Sequence, residues 1–147
     1  MESNLSFERI TDDNVVIDYI DDYLYDRLSH DETKSINDWI SGGHHISIKN
    51  EGRIVGVVSI TVDEDYAVIH PKVRKEHMVY AKRCCDIGLD YIKQELNIYT
   101  VFAYIPTKFK SNCKMAIACK MDLVKVLSNA RSIGGKKYNV NVYGRAL

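Results

Sequence analysis

The stretch from Ile54 to Leu96, IVGVVSITVDEDYAVIHPKVRKEHMVYAKRCCDIGLDYIKQEL, limits the fold more than any other part of the chain. Its first half carries apolar residues at the two-residue period of strands, broken by the turn-forming Asp63-Glu64-Asp65. A corner at His70-Pro71 follows, and then apolar residues recur at helical spacing to Leu96. The pattern predicts strand, tight turn, strand and long amphipathic helix, with Lys72, Arg74 and Lys75 at the junction. A strand that feeds a helix through a short cationic loop suits a bound phosphate group.

The remaining sequence reads as a preamble and a completion to this unit. Leu5–Ile10 alternates as a first strand, and Thr11-Asp12-Asp13-Asn14 offers cap chemistry to a helix over Val15–Leu24. A second helix is expected over Ser35–Ile40 with Trp39 buried. His44–Lys49 and Arg53–Val62, joined by Asn50-Glu51-Gly52, form a hairpin, and Tyr66–His70 extends it to a three-strand meander. The helix Glu76–Leu96 should bury Met78, Ala81, Cys85, Leu89, Ile92 and Leu96. A strand over Asn97–Ile105, a helix over Ser111–Met121, and strands over Val124–Leu127 and Lys137–Val142 complete the chain. The expected class is α+β: one domain over residues 1–147, a mostly antiparallel sheet flanked by helices, in the order β-α-α-β-β-β-α-β-α-β-β.

Bulk composition excludes several classes. The 147 residues are 46% apolar and 27% charged, as in ordinary globular domains. No apolar run approaches the roughly 20 residues of a membrane-spanning helix. MESNLSFERITDD is acidic and lacks a signal-peptide core, so a cytosolic location is expected. Cys84, Cys85, Cys113 and Cys119 lack zinc-ligand spacing and read as reduced, mostly buried thiols, and no metal is expected. Net charge is zero, but residues 1–65 hold 15 acidic against 5 basic side chains and residues 66–147 the reverse. Either the basic half meets an anionic ligand and the acidic half a cationic one, or the halves interleave and the charges mix.

The element order resembles the GNAT superfamily of N-acetyltransferases. Val68-Ile69-His70-Pro71-Lys72-Val73-Arg74 is similar to that family's V-x-P-x-x-R approach to its pyrophosphate loop. Ala103-Tyr104-Ile105-Pro106-Thr107, with Asn112 and Ala116, is similar to its fifth strand and following helix. Gly134-Gly135-Lys136-Lys137-Tyr138 through Tyr143-Gly144-Arg145 resembles its closing hairpin. The sequence departs from the family where the loop pattern Q/R-x-x-G-x-G/A meets His77 and Val79. It departs again at Ala118, which takes the place of a proton-donating tyrosine. Divergent members of this sort also resemble small phage proteins, some of them acetyltransferases and others internal virion or head proteins.

The resemblance implies acetyl-CoA as co-substrate, a primary amine as acceptor, and direct attack of that amine on the thioester. The coenzyme would meet Val68, Ile69, His70, Val73, Arg74, Lys75, Glu76, His77, Met78, Val79 and Asn112. His70 could relay the amine's proton or be a plain strand-end histidine. Glu64 could act as a base through water or be a solvated turn residue. Asp26, Asp31 and Glu32 would suit a cationic acceptor such as a polyamine, an aminoglycoside or a protein lysine or N-terminus. A homo-oligomer or, in a phage, virion proteins stand as further partners, with the host cytoplasm or the virion as location. The alternative to an enzyme is a catalytically inactive protein of this fold acting through protein contacts. Nucleic acid is a weaker partner, because Lys108, Lys110, Lys114 and Lys120 lack interleaved aromatics, and no membrane is expected.

Overall fold

The computed structural model describes residues 4–28 and 43–147. Seven strands form one sheet in the order β1-β2-β3-β4-β5-β7-β6: β1 (Leu5–Arg9), β2 (His44–Asn50), β3 (Arg53–Asp63), β4 (Tyr66–Lys72), β5 (Thr100–Pro106), β6 (Asp122–Ile133) and β7 (Lys136–Ala146). Every neighbouring pair is antiparallel except β4 with β5. The α+β class and the element order agree with the sequence pattern. The expected helix at Ser35–Ile40, with Trp39, lies outside the described residues. Among the described residues no helix is long and apolar enough to cross a membrane.

Several boundaries move for identifiable reasons. The helix expected over Val15–Leu24 is two helices, α1 (Asp13–Tyr19) and α2 (Asp22–Leu28). Asp12 caps α1 by accepting from the Asn14 N–H at 3.0 Å, and Asp21 accepts from the Leu24 N–H at 3.0 Å, starting a new helix where one was expected to continue. Between them Ile20 is extended. Strand β4 does not stop at His70; it runs through Pro71 to Lys72, paired with β3 throughout. The long helix divides into a 3-10 turn at Lys75–Tyr80 and α3 (Ala81–Leu96), so the α-helix begins five residues later than expected. Asn97 adopts φ 55° and caps α3, which delays β5 to Thr100. Helix α4 (Lys110–Ala118) ends early, with Lys120 in the left-handed region at φ 63°. The last two strands are far longer than expected. Gly134 and Gly135, at φ 58° and 79°, make the two-residue turn between them.

The main core lies between the sheet and α3. Ile46, Ile48, Val58, Ile60 and Ile69 face Cys84, Cys85, Leu89 and Ile92. A smaller core on the opposite face packs Val16 and Tyr19 of α1 and Leu24 of α2 against Val57. Helix α3 sits close to the strands because Gly56 leaves room: a Cβ there would lie 2.6 Å from the Cys84 sulfur. Gly56→Ala is therefore expected to destabilise the fold by about 1–3 kcal/mol through overpacking. Adding Cys84→Ala should return much of that loss, because the deleted sulfur makes space for the methyl. Thermal unfolding of the single and double variants checks this, and additive losses would refute the contact.

Candidate active site

Strands β4 and β5 run parallel but pair at only two positions, Ala67 with Val101 and Val68 with Phe102. Beyond Val68 the two strands part. On its other edge β4 stays in register with β3 up to Lys72, opposite Val57. The stretch Ile69–Lys72 therefore offers one backbone edge to β3 and leaves the other facing a gap toward Ala103–Pro106. Unpaired strand backbone of this kind is a template for an extended ligand bearing amides. It also explains the proline: with β5 gone, β4 has a free edge, and Pro71 needs no ladder donor there.

The chain leaves β4 into the 3-10 turn, and both ends of that junction are tied to α1. The Arg74 guanidinium donates to the backbone carbonyls of Tyr19 (2.8 Å) and Asp18 (3.0 Å), stacks over the Tyr19 ring at 4.7 Å, and lies 3.6 Å from Glu76. It therefore caps the C-terminus of α1, where carbonyls lack partners and the helix dipole is negative. The Tyr19 hydroxyl accepts from the Arg74 backbone N–H at 3.1 Å, so its own proton goes to Nδ1 of His77 at 2.9 Å. The two rings stack with centroids 5.9 Å apart. Burial pushes the Tyr19 phenol up to about 12 and lowers His77, consistent with a neutral pair. The bulky side chains at the expected small positions thus point off the turn: His77 onto Tyr19, and Val79 into solvent at 82% exposure. Lys75 and Glu76 are exposed. A cavity of about 430 Å³ at this junction is lined by Arg53 and Ile54 of β3 together with Arg74, Glu76 and His77.

The other expected site residues are placed as follows. Val68 is the last residue of β4 paired with β5, Ile69 and Val73 point into the main core, and Met78 packs against it. Asn112 is the third residue of α4, half-buried, and its side-chain amide has no hydrogen-bond partner among the described residues. Glu64 sits exposed in the β3–β4 turn, at the paired end of the strands. Four residues of strand, about 13 Å, separate Tyr66 from His70, so Glu64 and His70 are not brought together. Asp26 is exposed on α2, and Asp31 and Glu32 lie outside the described residues. At the position of the expected tyrosine, Ala118 ends α4, and the neighbouring Cys119 carbonyl accepts from Arg145 at 3.0 Å. Among the described residues no cluster of three or more His, Cys, Asp or Glu could hold a metal ion.

Three polar residues the sequence reading left out of the site lie on the sheet face covered by α1 and α2. Lys72, only 2% exposed, donates a short hydrogen bond to Ser59 Oγ. Ser59 in turn lies 2.7 Å from Nδ1 of His45. In the ladder Ser59 pairs with both His45 and His70, so these residues form a row across β2, β3 and β4. Burial lowers the Lys72 amine to about 7. Burial together with the Lys72 and Arg131 cations lowers His70 to about 3, so its imidazole is neutral at physiological pH and a poor resting place for a proton. The signal for Lys72 was available in its position two residues from His70, on the same side of a strand. The misread corner at Pro71 hid it.

Two outcomes follow from this geometry. Tyr19→Phe should cost about 1–3 kcal/mol, because the His77 ring and the Arg74 amide both lose a buried partner; chemical denaturation measures it. Lys72→Met should raise the melting temperature at neutral pH, since an amine whose folded pKa is depressed destabilises the fold below that pKa. The unfolded chain binds the extra proton between about pH 7 and the ordinary lysine value near 10.4. The wild type therefore gains stability as pH rises through that window, and the advantage of Lys72→Met should shrink. A pH-independent difference would refute the depressed pKa.

No family model and no curated protein matches the sequence. Solved structures do match the fold. A spermidine N-acetyltransferase from Vibrio cholerae, in complex with CoA and spermine, superposes with a TM-score of 0.81 at 11% identity, over 97% of this chain and 95% of that one. A probable acetyltransferase from Staphylococcus epidermidis gives a TM-score of 0.76 at 15% identity, over 97% and 99%. The chain has the fold of the GNAT acetyltransferases.

Proposed function

We propose that this chain transfers an acetyl group from acetyl-CoA to a primary amine by direct attack within a ternary complex. The observation that carries this reading is the parting of β4 from β5 after Val68 and Phe102. In that gap the backbone edge of β4 that opens just after Val68, at Ile69 and His70, pairs with the amides of the pantetheine arm, as an added strand would. The coenzyme's phosphates meet the opening N–H groups of the 3-10 turn and the exposed Lys75, and Asn112 supplies a free amide from across the gap. Arg74 contributes indirectly, since its guanidinium is engaged on α1 and fixes the position of the turn. His77 and Val79 point off the turn and leave its backbone accessible.

The acceptor is a cationic primary amine. The solved V. cholerae protein was captured with spermine, and Asp26 stands exposed on α2. Asp26, Asp31 and Glu32 are the acidic residues assigned to hold it, with a polyamine the first acceptor to try and a protein lysine or N-terminus the second. His70 borders the gap as a neutral imidazole beside the thioester.

Acetyl-CoA at about 100 times its Kd should stabilise the chain by about 2.7 kcal/mol. For a domain of this size that raises the melting temperature by roughly 5–10 °C. Release of free thiol on adding spermidine would then establish the transfer. No thermal shift at millimolar acetyl-CoA would overturn the reading and leave a catalytically inactive protein of this fold that works through protein contacts, as in a virion.

A further inference from the structure

We propose that Lys72, Ser59 and His45 form a proton relay across β4, β3 and β2 that carries away the proton shed by the acceptor amine. This inference rests on the acetyl-transfer reading. Its geometry is independent of any ligand: Lys72 Nζ donates to Ser59 Oγ, and Ser59 Oγ lies 2.7 Å from His45 Nδ1. All three residues are buried, at 2%, 7% and 4% exposure. Ser59 is the single side-chain hydrogen-bond partner of Lys72 among the described residues, and no ion pair neutralises the amine there. An amine buried with no carboxylate partner among the described residues is a cost to the fold, and Lys72 ends the stretch of β4 that is paired with β3 but not with β5. Buried ionisable groups in clefts are the ordinary raw material of proton transfer.

Among the described residues, these groups surround the relay. Strand β4 contributes His70 on the same face, and β6 contributes the Arg131 cation, which acts with Lys72 on His70. Helices α1 and α2 contribute Val16, Tyr19 and Leu24 around Val57, the residue paired with Lys72. Burial alone sets the Lys72 amine near 7, whereas His70 stays a neutral imidazole above about 3. Of the two groups on β4, Lys72 is therefore the one that can keep a proton at neutral pH.

The steps balance. An acceptor arriving as R–NH3+ breaks one N–H bond, and the neutral Lys72 amine forms one, becoming an ammonium. The R–NH2 lone pair attacks the thioester carbonyl, the C–S bond breaks, and the second proton of the amine ends on the coenzyme sulfur. Lys72 then hands a proton to Ser59 Oγ while the Ser59 hydroxyl proton passes to His45 Nδ1. The resulting imidazolium loses its Nε2 proton on the side of Gly43, whose added Cβ would stand 3.3 Å from that nitrogen. That proton goes to water; Lys72 is again neutral, and the His45 ring, now carrying its hydrogen on Nδ1, returns to the Nε2–H tautomer by exchange with water before the next cycle.

The test is ring and side-chain nitrogen NMR on the full chain from about pH 5 to about pH 9, a range that brackets histidine titration. Lys72 is expected to lose its proton near neutrality with the His45 ring responding in the same transition, and Ser59→Ala should uncouple the two. A Lys72 that stays charged throughout, or a His45 response unchanged by Ser59→Ala, would overturn the relay. In kinetics with acetyl-CoA and spermidine, Ser59→Ala should lower kcat about 10–100-fold, within the range of general acid–base effects, at unchanged KM for acetyl-CoA. Lys72→Arg keeps the charge but cannot release its proton, so it should be as slow as Lys72→Met; full activity in Lys72→Arg would overturn the proposal. Absence of acetyl-CoA binding would defeat the acetyl-transfer reading on its own, while the NMR coupling still decides the relay.

Discussion

A strand that loses one partner while keeping the other sets the terms for the rest of this molecule. Backbone N–H and C=O groups must be satisfied, and β4 meets that demand on its β3 side for its whole length but on its β5 side for two residues. The edge so created runs toward the junction with α3, and the structure spends its strongest local contacts holding that junction still. Arg74 and His77 tether it to α1, Val73 and Met78 anchor it in the main core, and Gly56 lets α3 close down on β3. The elements around the gap are held by contacts that do not involve the gap.

The basic second half of the chain is consumed in part by its own helix ends. Arg74 caps α1 and Arg145 donates to the Cys119 carbonyl at the end of α4. Both put a guanidinium where the helix dipole is negative, a use of arginine that the planar five-donor fork serves better than an ammonium does. The two halves also interleave, since Arg74 lies 4.0 Å from Asp21 of the acidic half. The charge asymmetry visible in the sequence is thus a poor measure of free surface charge.

Much of the fold could be read from the sequence, because local pattern and tertiary burial agreed. The β2–β4 meander and the buried face of α3 at Ala81, Cys85, Leu89 and Ile92 follow directly from period. The break at Ile20 was missed because Asp18, Asp21 and Asp22 look like one solvated helix face, and only the Asp21 cap reveals the second start. Strand β6 was underestimated because it is exposed along nearly all its length and so lacks apolar alternation. The candidate site was legible in outline and illegible in detail. Val68 to Arg74 marked the place, but Lys72 was read as a cation of the junction, while Ser59 and His45 were read only as members of the strands Arg53–Val62 and His44–Lys49. Nothing short of the cross-strand register brings those three together.

Strand β6 also has a consequence for how the molecule behaves among its own copies. It is twelve residues long and lies at the sheet edge, with Leu123, Val124 and Val126 each about half exposed. A regular edge of that length and character would invite a foreign strand to zip on. Here the register slips between Leu123 and Lys125 and again between Leu127 and Arg131, with Asn129 at φ 50° in the second slip. The hydrogen-bonding repeat is chopped into runs of two or three residues, too short to template a growing sheet. The irregular edge serves as the molecule's guard against fibril growth, and smoothing it would trade a kinked strand for a sticky one.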